Sequence, residues 1–124
     1  MTDAAWKQAE RRCAKLFGGT RNALSGSNSG VTSADVRDAR GNLYIEVKHS
    51  KSYFSQAKIR NILYDTEEKA DKEGKGKVPI VVTHEKGSKE MTCWMTKTNL
   101  DKLCGSKIFF LVGIDSVELS RLLL

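Results

Sequence analysis

The sequence predicts a single domain of the α/β or α+β class, in which a mixed β-sheet is flanked by helices. Two patterns carry this prediction: apolar residues at helical spacing near the N-terminus, and short β-branched runs further along that are separated by turn and helix signals. The chain has 124 residues, of which 40% are hydrophobic and 29% are charged. That size and composition suit one globular domain over residues 1–124, with one modest core.

The first predicted element is a helix over about residues 3–17, whose apolar stripe is expected to face the core. The stripe consists of Trp6, Ala9, Cys13, Leu16 and Phe17. Gly18 and Gly19 end this helix, and the small, polar residues 18–33 predict a long loop.

A β-hairpin is expected next, because residues 34–37 and 43–49 predict strands and residues 38–42 predict the turn between them. The remaining predicted elements are a helix over 53–72, a buried strand over 78–84, a strand over 91–95, a short helix over 98–104, a strand over 108–114 and a short apolar helix over 117–124. The last segment either belongs to the core or packs against a second copy of the chain.

Positive charge is concentrated in the first half of the chain. The formal net charge is +6; residues 1–60 hold eleven Lys or Arg against five Asp or Glu, whereas residues 61–124 hold ten of each kind. A basic region of this kind attracts polyanions, usually nucleic acid. The alternative is a charge that serves solubility alone.

Composition also indicates where the protein works. No apolar run approaches the ~20 residues of a membrane span, and residues 1–9 lack the apolar segment of a secretory signal. We therefore expect a cytoplasmic protein without a membrane partner. Cys13, Cys93 and Cys104 have long, irregular spacings without a CxxC motif, which favours reduced thiols over a zinc site.

The strand after the predicted turn carries the residues most suggestive of chemistry. Side chains alternate faces along a strand, so Glu46 and Lys48 lie on one face, which is expected to form a surface. Ile45 and Val47 then point to the core. The turn brings Asp35, on the preceding strand, to the same end of the hairpin as Glu46. The alternative for the Glu46 face is an ordinary solvated strand surface.

Asp35 and Glu46 together make a hard, oxygen-rich site that suits Mg²⁺ or Mn²⁺. Two close carboxylates repel each other, and a cation relieves that repulsion. Lys48 beside them can orient or deprotonate an attacking water, or stabilise the negative charge that grows on a phosphate. Asp35 could instead only cap or end a turn.

Glu10 lies at the border of the apolar stripe, about 20° from Phe17 and about 40° from Trp6 around the helix. A buried acid needs a partner, which a metal-bound water or Lys48 would supply. Alternatively, Glu10 is one half of an exposed salt pair on the helix.

These segments resemble the PD-(D/E)xK nuclease superfamily, and most of all its small Holliday-junction-resolvase-like branch, which includes many phage-encoded members. The segments that carry the resemblance are Ala9-Glu10-Arg11-Arg12, Ser33-Ala34-Asp35-Val36 and Ile45-Glu46-Val47-Lys48. They follow the branch's order: helix with Glu, Gly/Ser-rich loop, strand with Asp, and strand with ExK. The resemblance covers about residues 5–60 well and continues more loosely to about residue 100. One departure is Ala34, which stands where the family's motif has Pro.

The resemblance implies a restriction-endonuclease-like fold and metal-dependent hydrolysis of a DNA phosphodiester that leaves a 5′-phosphate. It implies that Asp35 and Glu46 bind Mg²⁺, for which Mn²⁺ can substitute, together with the carbonyl of Val47. It also implies that Glu10 completes the metal shell and that Lys48 assists the nucleophilic water.

Further side chains are candidate contacts to DNA phosphates, with plain surface positions as the alternative. These are Arg11, Arg12, Arg21, Ser25, Ser27, His49 and Lys51. Trp6 is expected in the core rather than as a platform for a base.

The function that these features favour is a structure-selective endonuclease of branched DNA, like a junction resolvase in DNA recombination. Because a resolvase cuts two strands symmetrically, a homodimer is expected, with residues 117–124 as a candidate contact. The alternatives are a restriction-like or end-trimming nuclease of the same fold, and a non-catalytic basic DNA-binding module.

Overall fold

The computed structural model describes residues 4–22, 34–104 and 112–116. Within these ranges the chain forms three helices and six strands in an α+β arrangement. In chain order they are α1 (Ala5–Leu16), β1 (Thr20–Arg21), β2 (Val36–Arg37), β3 (Leu43–Ser50), α2 (Gln56–Glu73), β4 (Val78–Glu85), β5 (Thr92–Met95), α3 (Lys97–Cys104) and β6 (Val112–Asp115).

The strands form one mixed sheet in the order β1-β2-β3-β4-β5-β6. Neighbouring strands are antiparallel, except that β3 and β4 run parallel. A parallel pair requires a crossover connection, which α2 supplies. The predicted class, a mixed sheet flanked by helices, is confirmed.

The main core lies on one face of the sheet, where buried residues of α1 pack against β3, β4 and β5. Ile45 and Val47 belong to this core, as predicted. On the opposite face Tyr44 is buried with Ala34 and with Ala70 of α2. The face that carries Glu46 is therefore covered by a helix, and the expectation that Glu46 lies on an open surface is wrong.

The β2–β3 hairpin sets the position of Asp35. Its turn is closed by the carboxylate of Asp38, which accepts hydrogen bonds from the backbone N–H of Asn42 at 3.3 Å and of Leu43 at 3.2 Å. In the resulting antiparallel register Val36 pairs with Ile45. The next position back along β2 places Asp35 level with Glu46, so the two residues converge at one end of the hairpin.

Part of the predicted loop is a strand. Thr20–Arg21 pairs with β2, and Gly19 before it approaches the backbone of Arg37 so closely that a Cβ atom would lie 1.6 Å from the Arg37 carbonyl oxygen. The loop prediction was therefore wrong for these two residues, because two polar residues are too short a run to show strand alternation. Residues 23–33 lie outside the described part of the chain.

The second helix begins with Ser55, whose Oγ accepts a hydrogen bond from the backbone N–H of Lys58 at 3.2 Å. It ends at Gly74, which adopts a φ of +66° that suits a helix C-terminus. The predicted helix is confirmed, with its start three residues later than expected.

The C-terminal predictions are only partly covered. Strand β6, Val112–Asp115, lies at the end of the predicted 108–114 strand. Residues 105–111 and the predicted helix over 117–124 lie outside the described residues. In the ranges that the structure describes, every helix is too short or too polar to cross a bilayer.

Candidate active site

Asp35 lies where β2 separates from β3. Its backbone N–H donates to the carbonyl of Ile45 at 3.0 Å, and its Oδ2 accepts from the backbone N–H of Val47 at 2.8 Å. The Asp35 carboxylate therefore accepts a hydrogen bond from a backbone N–H of β3, at a position where β3 is no longer paired with β2. Asp35 is buried and fixed by the hairpin.

Glu46 is buried between β3 and α2, where Lys69 donates from Nζ to its Oε1 at 3.0 Å. Burial raises the pKa of Glu46, and the nearby charge of Asp35 raises it further. Lys69 and Lys48 oppose this shift by stabilising the carboxylate. The ionised form of Glu46 is therefore destabilised by burial and by Asp35, and nearby positive charge stabilises it.

Glu10 is buried on α1, as its position at the border of the apolar stripe predicted. Its partner among the described side chains is Arg21, whose Nε donates to Oε1 at 2.6 Å, rather than the expected Lys48. Burial raises the pKa of Glu10; the hydrogen bond from Arg21 lowers it, and the charge of Asp35 raises it again. The alternative of an exposed salt pair is excluded by this burial.

The four predicted catalytic side chains occupy one region of the molecule. Asp35 acts on the pKa of both Glu10 and Glu46, so it lies within electrostatic range of each. Lys48 acts on Glu46 from two residues along β3 and is half-buried. Helix α1, the residue before strand β2, and strand β3 therefore bring together three carboxylates, those of Glu10, Asp35 and Glu46, and the lysine Lys48. We call this group the carboxylate cluster.

The chemistry of the carboxylate cluster fits a divalent metal. Asp35 and Glu46 offer oxygen donors of the kind Mg²⁺ prefers, and their mutual repulsion is what a bound cation would relieve. Within residues 4–22, 34–104 and 112–116, no group of three His, Cys, Asp or Glu side chains is arranged to hold a metal ion. A metal here would depend on the carboxylate pair, on a backbone carbonyl such as that of Val47, and on waters.

The predicted DNA contact His49 points away from the cluster. Strand alternation puts it on the α1 face, where its Nδ1 lies 2.9 Å from Nδ1 of His84. His84 Nε2 donates to the carbonyl of Ser88 at 2.7 Å, so in neutral His84 the Nδ1 atom accepts from His49. Burial, His84 and Lys86 lower the pKa of His49. Together with residues of α1, the two histidines line a cavity of about 250 Å³.

The other predicted DNA contacts are in different situations. Arg11 and Lys51 are exposed, as a phosphate contact requires. Arg12 is also exposed, but it donates to the carbonyl of Lys89 in the turn after β4. Arg21 is committed to Glu10. Ser25 and Ser27 lie outside the described residues.

Trp6 corrects a further expectation. It was assigned to the core, yet 46% of the residue is exposed. Trp6 lies in the first turn of α1, whereas the buried residues of this helix begin one turn later, at Ala9. Its indole contacts Arg21 and Lys7, with each cationic group 5.5 Å from the ring centroid.

Sequence reasoning missed two basic partners of the cluster. The signal for Lys69 is helical spacing from the buried Thr66 and Ala70, which places it at the border of the face of α2 that packs on the sheet. Arg21 was noticed only as a phosphate contact, because the strand that aims it at Glu10 was assigned to a loop.

Comparison of the chain with protein-family models, curated proteins and solved structures finds no match to any of them.

Proposed function

We propose that this protein is a metal-dependent DNA endonuclease of the PD-(D/E)xK type, with a restriction-endonuclease-like sheet, acting on branched DNA in the manner of a junction resolvase. The observation that carries the proposal is the position of buried Asp35, whose Oδ2 accepts from the backbone N–H of Val47 at 2.8 Å. It lies level with the buried Glu46 across the hairpin and within electrostatic range of the buried Glu10. An ordinary solvated strand face does not bury two carboxylates beside a third.

In this proposal Asp35 and Glu46 hold Mg²⁺ or Mn²⁺, with the Val47 carbonyl as a further ligand. When bound, the metal would act as a Lewis acid and lower the pKa of a water molecule that it holds. Lys48 orients the attacking water and stabilises the charge that develops on the phosphate. Glu10, held by Arg21, supports the metal shell electrostatically from α1.

The basic N-terminal half of the chain would hold the DNA, with Arg11 and Lys51 as exposed phosphate contacts. Symmetric cutting of a junction requires two active sites, so the proposed active form is a homodimer. Residues 117–124 remain the candidate contact, and deleting them should leave a monomer in light scattering; an unchanged dimer would reject that contact. The proposed setting is DNA recombination in the cytoplasm, that of the host if a phage encodes the protein.

The test is cleavage of a labelled four-way DNA junction in Mg²⁺ by wild type, Asp35→Asn and Lys48→Ala. Asp65→Asn and Lys72→Ala are matched controls, since both residues are exposed on α2. We expect paired, symmetric nicks from wild type and from both controls, and none from the two cluster variants. Junction binding without divalent metal should survive in all of them.

Three other outcomes would each change a different part of the proposal. Equal cleavage of linear duplexes would retain the cluster but replace the resolvase with a restriction-like or end-trimming nuclease. Binding without cleavage in Mg²⁺ and in Mn²⁺ would replace the enzyme with a non-catalytic DNA-binding module. Cleavage that survives in Asp35→Asn would reject the cluster as the active site.

A further inference from the structure

Trp6 is exposed although it begins the apolar stripe of α1. Only Tyr53 and Tyr64 accompany it among the exposed large apolar side chains in the described ranges, and both lie in or next to α2. Trp6 adjoins Glu10 of the carboxylate cluster, because its partner Arg21 bonds Glu10 and because it precedes Glu10 by four residues on α1. That spacing is about one helical turn, or ~5.4 Å along the axis.

The indole of Trp6 is fixed from the protein side by Arg21. The Arg21 guanidinium lies 5.5 Å from the ring centroid and also bonds Glu10, and only 17% of the Arg21 side chain is exposed. Cation–π attraction of this kind favours the ring orientation that keeps its face towards the guanidinium. Lys7 places a second positive charge 5.5 Å from the same centroid.

An exposed, oriented aromatic ring beside positive charge matches the chemistry of a nucleotide. The ring face can stack on a base when the Lys7 ammonium, which lies over the ring, moves to the adjoining phosphate and neutralises it. A base inside an intact duplex has both faces covered by its neighbours. An unpaired base has a face to offer, and proteins recognise single strands through such stacking.

We propose that Trp6 is a stacking platform for an unpaired base of the nucleic-acid substrate, with Lys7 contacting the neighbouring phosphate. This rests on the proposed function, since it places a splayed nucleotide one helical turn from Glu10, the carboxylate of the proposed active site on α1. It narrows the substrate class to nucleic acid with an unpaired segment, such as a flap or a junction that is opened at its branch point.

The experiment measures binding of short oligothymidylate, of oligouridylate and of a blunt duplex, all without divalent metal. Trp94→Phe leaves Trp6 as the only tryptophan, and Trp6→Phe leaves Trp94 as the matched reporter. We expect oligothymidylate to quench the fluorescence of Trp94→Phe and to leave that of Trp6→Phe nearly unchanged. The oligouridylate arm tells DNA from RNA, which share the stacking chemistry.

Affinity gives a second readout. Trp6→Leu should weaken oligothymidylate binding by roughly 5- to 100-fold, the range of stacking one base on an aromatic side chain, and Trp6→Phe should restore most of the loss. Duplex binding should change by less than about twofold. Tyr64→Leu, which removes an exposed ring far along the chain on α2, is the control and should bind as wild type does.

Two results would overturn the proposal. If saturating oligonucleotide does not quench Trp6 fluorescence, the ring does not stack on a base and its role is confined to the contact with Arg21. Equal losses on duplex and single strand would make it a general contact rather than a platform for unpaired bases. If Trp6→Leu does not fold, the quenching of Trp94→Phe still decides. Quenching without cleavage in Mg²⁺ would reject the nuclease and keep the platform, whereas cleavage without quenching would do the reverse.

Discussion

The two sides of Asp35 hold their carboxylates in different ways. On the α1 side, Glu10 is bonded at 2.6 Å by Arg21, a residue of a short strand whose side chain is 17% exposed. On the α2 side, Glu46 is bonded at 3.0 Å by Lys69, whose side chain reaches in from a helix surface and is 52% exposed. Both acids are buried, and Asp35 raises the pKa of both.

This difference indicates which acid is available to a metal. A shielded guanidinium on a strand has little freedom to leave its carboxylate, so the Glu10 pair behaves as part of the framework. A flexible ammonium that is half in solvent is easily exchanged for another cation. Glu46 and Asp35 are therefore the carboxylates that would bind the metal. Glu10, which stays paired with Arg21, would influence the metal only electrostatically.

The largest expected effect separates the two acids by activity. Glu46→Gln should reduce single-turnover junction cleavage on the order of 10³-fold or more, as loss of a central catalytic group does. Glu10→Gln should reduce it by only about 10- to 100-fold, the range for a group that supports a metal ligand from outside. Glu68→Gln, exposed on α2, is the control. Equal losses in both cluster variants would mean that Glu10 is itself a direct ligand.

The next effect is on stability, and here the larger loss is expected on the Glu10 side of Asp35. Arg21→Ala leaves a buried carboxylate unpaired and should lower the free energy of unfolding by about 2–4 kcal/mol. Lys69→Ala should lower it by at most ~1 kcal/mol, because that pair is half in solvent. Urea denaturation measures both. Adding Glu10→Gln to Arg21→Ala should recover much of the loss; no recovery would show that Arg21 stabilises the fold through Trp6 instead.

The comparison also shows what sequence could and could not predict. Strand alternation placed Ile45 and Val47 in the core, and the turn signal brought Asp35 back to Glu46, because both depend on local backbone geometry. The burial of Glu10 followed equally from helical spacing. These local rules sufficed to assemble the acidic half of the cluster.

The two basic partners of the cluster, Lys69 and Arg21, could not be predicted from local sequence patterns. Lys69 follows Glu46 by 23 positions, and only the crossover of α2 over the sheet brings them together. Arg21 reaches Glu10 through a two-residue strand that polar composition conceals. Periodicity predicts which face of α1 packs on the core but not that its buried stretch begins only at Ala9, so it does not predict the exposure of Trp6.

A smaller effect concerns pH. The raised pKa of Glu46 means that the folded state binds this proton more tightly than the unfolded chain does. The stabilisation from the protonated acid is complete below its ordinary value of 4.5 and is lost as the pH rises through the raised pKa. Glu46→Gln should therefore raise Tm at neutral pH, because the amide carries no charge for burial to disfavour.

The same variant should show no gain near pH 4, where wild type is itself protonated at Glu46. Thermal denaturation between pH 4 and pH 8, with Glu68→Gln as the control, measures this. A gain that stays constant over the whole range would assign it to packing of the amide rather than to removal of the buried charge.

The smallest effect tests whether Lys69 is exchangeable. If a metal replaces its ammonium at Glu46, Lys69→Met removes a competitor, and the Mg²⁺ concentration that gives half of the metal-induced rise in Tm should fall about 2- to 5-fold. The measurement belongs at alkaline pH, where Glu46 is most fully ionised, with Lys72→Met as the control. An unchanged or higher half-saturating concentration would show that Lys69 helps to hold the metal site together, and the two sides of Asp35 would then differ in exposure but not in role.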